Sequence, residues 1–250
     1  MFSFINKKIK INSPLWLPVT TDIHSHILPG IDDGAPDIDS SLFLIKGLYA
    51  LGIRRIIATP HIIGDIYRNT PDTIQNALEK VKKACTAQAI DMEISAAAEY
   101  MLDDHFMELL DKKSALLTLY KNLVLTEISY SDHPANLDEM AFRIITSGYQ
   151  PVLAHPERYF YYHQNYAAYS RLKDRGFHLQ VNLLSLTGYY GKAVRNAAKF
   201  ILNNNLASLV GTDLHHERHL SALQNKDNLK LFKAYLGDKK MNNIEELAMQ

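Results

Sequence analysis

Short β-rich runs alternate with longer helical patterns along nearly the whole of this chain. Each predicted strand is followed by a stretch with helical spacing or with helix-start signals, such as Pro71 at the head of residues 71–83. This alternation predicts βα units around a parallel sheet and disfavours a β-sandwich or a helical bundle. The seven predicted strands are residues 19–24, 54–59, 92–98, 122–127, 150–154, 177–182 and 207–211.

The length of 250 residues suits a single α/β barrel, because such barrels commonly use about 200 to 250 residues as one domain. No linker rich in glycine, serine or proline and no internal repeat divides the chain. We therefore predict an N-terminal arm, residues 1–18, that packs on the outside of one barrel domain formed by residues 19–250.

Charge and cysteine content narrow the class of protein. Twenty-seven basic and 27 acidic residues give a formal net charge of zero, whereas non-specific nucleic-acid binding normally needs a basic excess. The only cysteine, Cys85, cannot form an internal disulfide, which fits a reducing compartment. The first residues carry lysines where a signal peptide needs its apolar core, and no run of about 18 apolar residues occurs. We expect a cytoplasmic protein with no membrane insertion and no nucleic-acid partner.

Side chains that can bind metals collect at the ends of six of the seven predicted strands. In a closed parallel barrel these C-terminal ends meet at one face, which is where active sites are built. Because side chains alternate along a strand, His24 and His26 lie on the same side of the first strand. The nine residues expected at this face are His24, His26, Asp33, His61, Glu99, Glu127, His155, Asp213 and His215.

Five imidazoles and four carboxylates at one face would repel one another or lack partners unless cations lay between them. Nine ligands are too many for one ion, so the sequence predicts two or three divalent ions with bridging carboxylates. Imidazole and carboxylate without thiolate suit manganese, iron or zinc better than magnesium or calcium. Three such ions would leave about two positive charges once the carboxylates are counted, which matches a phosphomonoester dianion.

Two arginines follow predicted metal ligands. Arg158 comes three residues after His155, and Arg218 comes three residues after His215. The guanidinium fork matches phosphate oxygens, so both are candidates for binding a phosphoryl group. The alternative is that each arginine lies on the surface or pairs with the glutamate beside it in the sequence.

Seven short motifs, in this order, resemble the polymerase-and-histidinol-phosphatase (PHP) family. They are Asp22-Ile-His24-Ser-His26, Asp32-Asp33-Gly-Ala, Thr59-Pro-His61, Ala98-Glu99, Glu127, Leu153-Ala-His155-Pro-Glu-Arg158-Tyr and Gly211-Thr-Asp213-Leu-His215. The resemblance covers about residues 20 to 235 and points to the bacterial manganese-dependent protein-tyrosine phosphatase branch of CpsB/YwqE type, associated with capsule and exopolysaccharide synthesis. Asp33 and Glu127 are typical of that branch, since phosphatases of the histidinol type more often carry histidines there.

The resemblance implies an α/β fold, a distorted (β/α)7 barrel of TIM-barrel-like PHP type, with a polynuclear metal site at the C-terminal ends of the strands. It implies two or three divalent metal ions, manganese first and iron or zinc as alternatives. The implied ligand sets are His24, His26, Glu99 and Asp213 for one ion, Glu99, Glu127 and His155 for a second, and Asp33, His61 and His215 for a third. Asp33, Arg158 and Arg218 are the implied catalytic residues.

The implied reaction is hydrolysis of phosphotyrosine by metal-activated hydroxide attack on phosphorus. The implied substrate is the tyrosine-rich tail of a membrane-associated bacterial tyrosine kinase. Three alternatives stay open at this point: a phosphatase for histidinol phosphate or another small molecule, a metal amidohydrolase, and a non-catalytic binding protein. Glu127 argues against the first two, because the first favours a histidine there and the second typically bridges its metals with a carboxylated lysine.

Several other residues stay outside the predicted site. We interpret Asp22 as a carboxylate that orients a metal-bound histidine, and Asn182 as a hydrogen-bond partner of a ligand or of substrate. The aromatic run at residues 159–162 either grips an aromatic substrate or packs the barrel rim. The histidines not assigned to the site are His105, His133, His163, His178, His216 and His219.

Overall fold

The computed structural model describes residues 15–249, and within that range the strands are short and all their ladders are parallel. The strands are β1 (Thr21–Asp22), β2 (Arg55–Ala58), β3 (His61–Ile62), β4 (Glu93–Ala96), β5 (Glu99–Met101), β6 (Leu123–Glu127), β7 (Gln150–Ala154), β8 (His178–Asn182) and β9 (Ala207–Gly211). All five residues of β6 are buried, as expected for a parallel strand covered on both faces.

Helices connect these strands and cover them on the outside. They are α1 (Ile38–Ala50), α2 (Pro71–Ala87), α3 (Asp104–Asp111), α4 (Leu137–Thr146), α5 (Ala167–Asp174), α6 (Lys192–Asn203), α7 (Glu217–Gln224), α8 (Lys226–Leu236) and α9 (Ile244–Leu247). Helix α2 begins as its sequence predicts, with Pro71 in the first turn and the Thr70 hydroxyl accepting a hydrogen bond from the Thr73 backbone N–H. Three short 3₁₀ turns follow strands, at Pro156–Arg158, Phe160–Tyr162 and Leu183–Thr187.

The strands form two sheets, in the orders β1-β2-β4 and β3-β5-β6-β7-β8-β9. The predicted strands 54–59 and 92–98 contain β2 and β4, and each of these is followed after a short break by a further strand, β3 or β5. Pro60, which lacks a backbone N–H, lies in the break between β2 and β3. Backbone bonds still cross the gap, from Ala97 N to Ala58 O at 2.8 Å and from Glu99 N to Pro60 O at 3.1 Å. The predicted order of seven parallel strand positions is therefore correct, whereas the short strands β3 and β5 were not predicted.

Backbone contacts also join the first and last strands beyond their regular ends. Ser25 and Leu214 form a parallel bridge, His26 N donates to Leu214 O at 2.9 Å, and Asp213 N donates to His24 O at 2.8 Å. A small apolar cluster that includes Ile23 and Ile57 joins residues of β2, β6, β7 and β9. A larger apolar layer separates the strands from the helices. The predicted α/β class is confirmed, and the split into two sheets accounts for the expected distortion.

Residues 1–14 of the predicted N-terminal arm lie outside the described residues. Of the remaining four, Leu17 is buried and its N–H donates to Leu51 O at 2.9 Å, at the end of α1. The division into an arm and one barrel domain stays a prediction. Among the described residues, we find no helix with both the length and the apolar character needed to span a bilayer.

Candidate metal centre

All nine predicted metal ligands come together at the C-terminal ends of the strands. The register explains part of this, since His61 lies opposite Glu99 across β3 and β5. The ligand atoms form four overlapping groups in which all atoms lie within 4.8 Å of one another. These groups are His24, His26 and Asp213; His24, Glu99 and His155; His61, Glu99 and Glu127; and His26, Asp33, His61 and His215.

The innermost group is completely buried and centres on two histidines that follow β1. The Nε2 atoms of His24 and His26 lie 3.3 Å apart. Glu99 Oε2 lies 3.2 Å from His24 Nε2 and 3.4 Å from His26 Nε2. Asp213 Oδ1 lies 3.3 Å and 3.5 Å from the same two nitrogens. Two imidazoles and two carboxylates thus face one point, as in the first predicted ligand set.

Outer hydrogen bonds hold these two rings in place. The Nδ1 of His24 lies 2.8 Å from Gln180 Oε1, and the Nδ1 of His26 lies 2.8 Å from Asp32 Oδ2. An acceptor at Nδ1 places the proton there and leaves the Nε2 lone pair free for a metal. Asp32 and Gln180 are therefore positioning residues, which the sequence analysis missed. The signal available for Gln180 was the alternation along β8, in which His178, Gln180 and Asn182 share one face of the strand.

Asp22 was predicted to orient a metal-bound histidine, and the structure corrects this assignment in its detail. Asp22 accepts hydrogen bonds from the Thr212 hydroxyl at 2.6 Å and from the Thr212 N–H at 3.0 Å. It also lies 3.4 Å from the backbone N–H of His24. It therefore fixes the path of the chain beside the metal ligands and contacts neither histidine ring. Asn182 does contact a ligand, since its side-chain amide donates to Asp213 Oδ2 at 2.7 Å.

Glu99 connects the inner group to the rest of the site. Its Oε1 lies 3.0 Å from His155 Nε2, and its Oε2 lies 3.2 Å from His61 Nδ1. Glu127 Oε1 approaches the same His61 nitrogen to 2.9 Å. The second predicted set is thus divided, with His155 on one side of Glu99 and Glu127 on the other. His61 lies between Glu127 and the third set, which sequence spacing did not indicate.

The third group lies at the mouth of the site. Asp33 Oδ1 lies 3.5 Å from His61 Nε2 and 3.5 Å from His215 Nε2. The side chain of Asp33 is 52% exposed, whereas Glu99 is fully buried. The predicted set of Asp33, His61 and His215 is brought together, and His26 lies within reach of the same atoms.

Two of the nine predicted ligands have a left-handed backbone conformation, which residues other than glycine seldom adopt. His155 has φ of 35° and Asp213 has φ of 51°. Such left-handed conformations cost about 1–3 kcal/mol each and collect at functional sites. Both residues stand where a strand ends and the chain turns sharply, so the strain aims each side chain into the cluster.

The electrostatics show how poorly this cluster suits a state without cations. Burial by itself lowers the pKa of His24, but the carboxylates of Glu99 and Asp213 raise it to about 9. A hydrogen bond with His215 lowers the pKa of Asp33 to about 2. The pKa values of His26 and His61 are raised as well, so these three imidazoles hold protons that balance the carboxylates, whereas burial lowers the pKa of His155. Bound metal ions would replace those protons.

Unpaired atoms lead to the same conclusion. His61 Nδ1, Glu99 Oε2 and Glu127 Oε1 are buried and have no hydrogen-bond partner among the described residues. They lie close together without hydrogen-bond geometry, and an unsatisfied buried polar group costs about 1–3 kcal/mol. A cation at their common focus would satisfy all three, so the residues present fit divalent metal ions.

A cavity of about 280 Å³ opens onto this cluster. The predicted ligands Asp33 and Asp213 line it, together with Tyr130, Arg158 and Tyr190. Two histidines not assigned to the site, His216 and His219, also line it. The four remaining histidines outside the predicted site do not line it; they are His105, His133, His163 and His178.

Arg158 points into this cavity from the 3₁₀ turn after β7. Its Nη1 donates to Asp213 Oδ2 at 2.7 Å, and its Cζ lies 5.1 Å from the ring centre of Tyr130 and 4.6 Å from that of Tyr190. The neighbouring Glu157 is buried and accepts from Asn182 N at 2.9 Å and Ser185 Oγ at 2.7 Å. The alternative that Arg158 simply pairs with Glu157 is therefore wrong.

Arg218 lies elsewhere. It is exposed on α7 and does not line the cavity. The side chain of His216 caps α7 at the His219 N–H, so the inward face of the first turn holds His219, not Arg218. The structure thus brings one of the two predicted arginines to the cluster. The aromatic run at residues 159–162 packs the rim, with the Tyr159 hydroxyl bonded to Ala154 O at 3.2 Å.

Comparison with known proteins gives relatives along most of the chain. Residues 20–246 match the protein-family model described as capsular polysaccharide synthesis, CpsB/CapC. The tyrosine-protein phosphatase YwqE of Bacillus subtilis is 30% identical over 195 residues, which cover 78% of this chain and 77% of the relative. The tyrosine-protein phosphatase CpsB of Streptococcus pneumoniae is 28% identical over 200 residues, covering 78% and 82%.

Solved structures agree with these matches. A structure from work on YwqE and CpsB, described as unique metal-dependent tyrosine phosphatases, superposes with a TM-score of 0.79 over 92% of both chains at 27% identity. The lactonase Lmo2620 of Listeria monocytogenes superposes with a TM-score of 0.54 over 90% of this chain and 93% of its own, at 13% identity. The second match shows the fold alone.

Proposed function

This chain belongs to the CpsB/CapC family, and from that premise we propose that it is a metal-dependent protein-tyrosine phosphatase. The observation that supports this most strongly is the cluster of four overlapping ligand groups beside a cavity that contains Arg158. Cationic centres and a guanidinium facing one small cavity provide what a phosphomonoester dianion needs.

We propose two or three divalent ions in this site, held by the nine residues His24, His26, Asp33, His61, Glu99, Glu127, His155, Asp213 and His215. Manganese is the first candidate, with iron or zinc as alternatives, because the ligand atoms are nitrogen and oxygen with no thiolate. When bound, such ions act as Lewis acids that lower the pKa of water and neutralise charge on a transferring phosphoryl group.

The chain's own residues would bind and orient the phosphate. The Arg158 guanidinium has one nitrogen on Asp213, which leaves other donors of its fork free to face the cavity. Asp33 stands at the open mouth, where its ionised carboxylate can accept a hydrogen bond from water that enters with substrate. Arg218, exposed on α7, is not included in this proposal.

The substrate's chemistry fits a site with no separate proton donor. The leaving group is a phenolate, whose parent pKa near 10 makes it a comparatively good leaving group. The only cysteine, Cys85, is buried in α2 and does not line the cavity, so the proposed route needs no thiolate nucleophile.

We propose a phosphotyrosine protein as partner, specifically the tyrosine-rich tail of a membrane-associated bacterial tyrosine kinase. The family's link to capsular polysaccharide synthesis supports this choice. We place the protein in the cytoplasm, where such a tail would be exposed and where a free thiol such as Cys85 stays reduced. No lysine lines the described cavity, so the amidohydrolase alternative lacks its usual bridging group.

The test strips the purified protein with a chelator and restores manganese, iron, zinc or magnesium separately. Phosphate release is then followed from a phosphotyrosine peptide, a phosphoserine peptide and histidinol phosphate. We expect metal-restored release that strongly favours phosphotyrosine. Preference for histidinol phosphate, or inactivity on all three with metal bound, would contradict the proposal.

A further inference from the structure

A second cavity, of about 340 Å³, adjoins the metal centre. It lies between the start of α1 and the start of α7, and we call it the flanking pocket. His215 and His216 line both cavities, so the flanking pocket is continuous with the space where phosphate would bind. A chain that placed a phosphotyrosine over the metals would have its neighbouring residues beside this pocket.

One wall of the flanking pocket is apolar. Pro36, Phe43 and Leu44 line it, and Phe43 is 50% exposed although it is a large aromatic side chain. The next residue, Leu44, is buried in the core, so α1 is anchored while Phe43 faces out. An exposed ring at the edge of a catalytic cavity offers a surface for a substrate side chain.

The flanking pocket also carries negative charge. Asp39 from α1 and Glu217 from α7 line it. Neither carboxylate takes part in a side-chain hydrogen bond or an ion pair within residues 15–249, and no lysine or arginine lines the pocket there. The first cavity presents Arg158, so the two neighbouring cavities present opposite charges.

We propose that the flanking pocket binds a lysine or arginine that lies next to the phosphotyrosine in the substrate protein. Its alkyl stem would pack on Phe43, and its cation would lie near Asp39 and Glu217. An extended peptide advances about 3.3 Å per residue, so a basic residue one to three positions away would reach the pocket. This inference rests on the proposed function and specifies the class of phosphotyrosine sequence that it favours.

The test uses phosphotyrosine peptides that differ at one position, scanned over three residues on each side, with lysine, glutamine, leucine or glutamate there. The kcat/KM of each peptide is divided by that of phenyl phosphate with the same protein, so that general effects cancel. We expect lysine to be favoured over glutamine by about three- to tenfold at one position, because its cation would lie near two exposed carboxylates. The double variant Asp39→Asn, Glu217→Gln should reduce this ratio to about one.

The matched control is Asp72→Asn. Asp72 is the second residue of α2, as Asp39 is of α1, and it is likewise an exposed acidic residue of a first turn. This control should keep the preference for lysine. No preference in the wild-type protein, or a preference that survives in the double variant, would overturn the inference. Preference for leucine that is lost only in Phe43→Ser would show an apolar pocket and also overturn it.

A binding measurement separates this inference from the proposed function. Fluorescence anisotropy with the metal-loaded protein would compare lysine and glutamine peptides that carry a non-hydrolysable phosphonate in place of the phosphate. Tighter binding of the lysine peptide, lost in the double variant, supports the flanking pocket even if no phosphate is released. Equal binding overturns the pocket, whereas failure of all hydrolysis overturns only the phosphatase proposal.

Discussion

Replacing Asp32 with asparagine should weaken metal binding without any change to a metal ligand. The Asp32 side chain is fully buried. Its Oδ2 accepts from His26 Nδ1 at 2.8 Å and from the His61 N–H at 3.2 Å, and its Oδ1 accepts from the Gly34 N–H at 3.0 Å. Both oxygens of the carboxylate are therefore used as acceptors.

The magnitude follows from these bonds. An asparagine has one oxygen, so its NH₂ group must face either the Gly34 N–H or the donors on His26 and His61. A buried donor left without an acceptor costs about 1–3 kcal/mol. That cost falls on the folded protein with or without metal, whereas loss of the carboxylate that orients a metal-bound histidine typically weakens metal binding by about ten- to a hundredfold, which we expect for Asp32→Asn.

The assay measures the Mn²⁺ dissociation constants by competition with a chelator and compares melting temperatures with and without metal. Asp37→Asn is the matched control, because Asp37 is exposed and caps α1 by accepting from Ser40 N at 2.8 Å. Asparagine caps helices as well as aspartate does, so this control should bind metal normally. An Asp32→Asn protein with Mn²⁺ affinity within about twofold of wild type would refute the reasoning.

Three further variants examine the ligands and the phosphate site. Glu99→Gln should lose at least one bound ion by elemental analysis, because two ligand groups share this carboxylate. Its activity should fall by more than the roughly hundredfold that is typical when a residue bonded to a metal ligand is replaced. Full metal content would argue against that sharing. Arg158→Lys should raise KM for a phosphotyrosine peptide by about tenfold at normal metal content, and an unchanged KM would remove Arg158 from the site. Tyr190→Leu should raise KM several-fold by removing one ring beside the Arg158 guanidinium, whereas Tyr189→Leu, which alters an exposed neighbour outside the cavity, should not.

The nine candidate ligands could be identified from the sequence because most of them lie at or just after strand ends. His24 and His26 lie two apart just after β1, and Glu127 and His155 come at or just after the last residue of their strands. Parallel strands bring such positions to one face wherever the intervening helices run. For this reason all nine predicted ligands fall within the four overlapping groups of the structure.

Which of these side chains face one another could not be predicted from the sequence. The two nitrogens of His61 face different carboxylates, Glu127 and Asp33, and this depends on the direction of the ring. The orienting residues were also misassigned, because Asp22, Asp32 and Gln180 are all polar residues near the ligands in sequence or on a neighbouring strand. Only side-chain direction separates a carboxylate that bonds to backbone from one that bonds to a ring.

Arg218 shows the same limit on a helix. Its spacing after His215 equals that of Arg158 after His155, but Arg158 ends a 3₁₀ turn and Arg218 lies on α7. A helix turns each residue by about 100°, so a shift of one position moves a side chain from the cavity to solvent. His219 lines the cavity and Arg218 does not.

The sequence by itself determined the fold class, the face on which the chemistry collects and the residues that meet there, because strand periodicity and strand order fix which positions share a face. The tertiary structure alone decided which ligand faces which, which arginine reaches the cavity and that an acidic, apolar pocket adjoins it. These features depend on contacts between segments far apart in the chain, such as α1 and α7, whose distance and relative rotation no local pattern encodes.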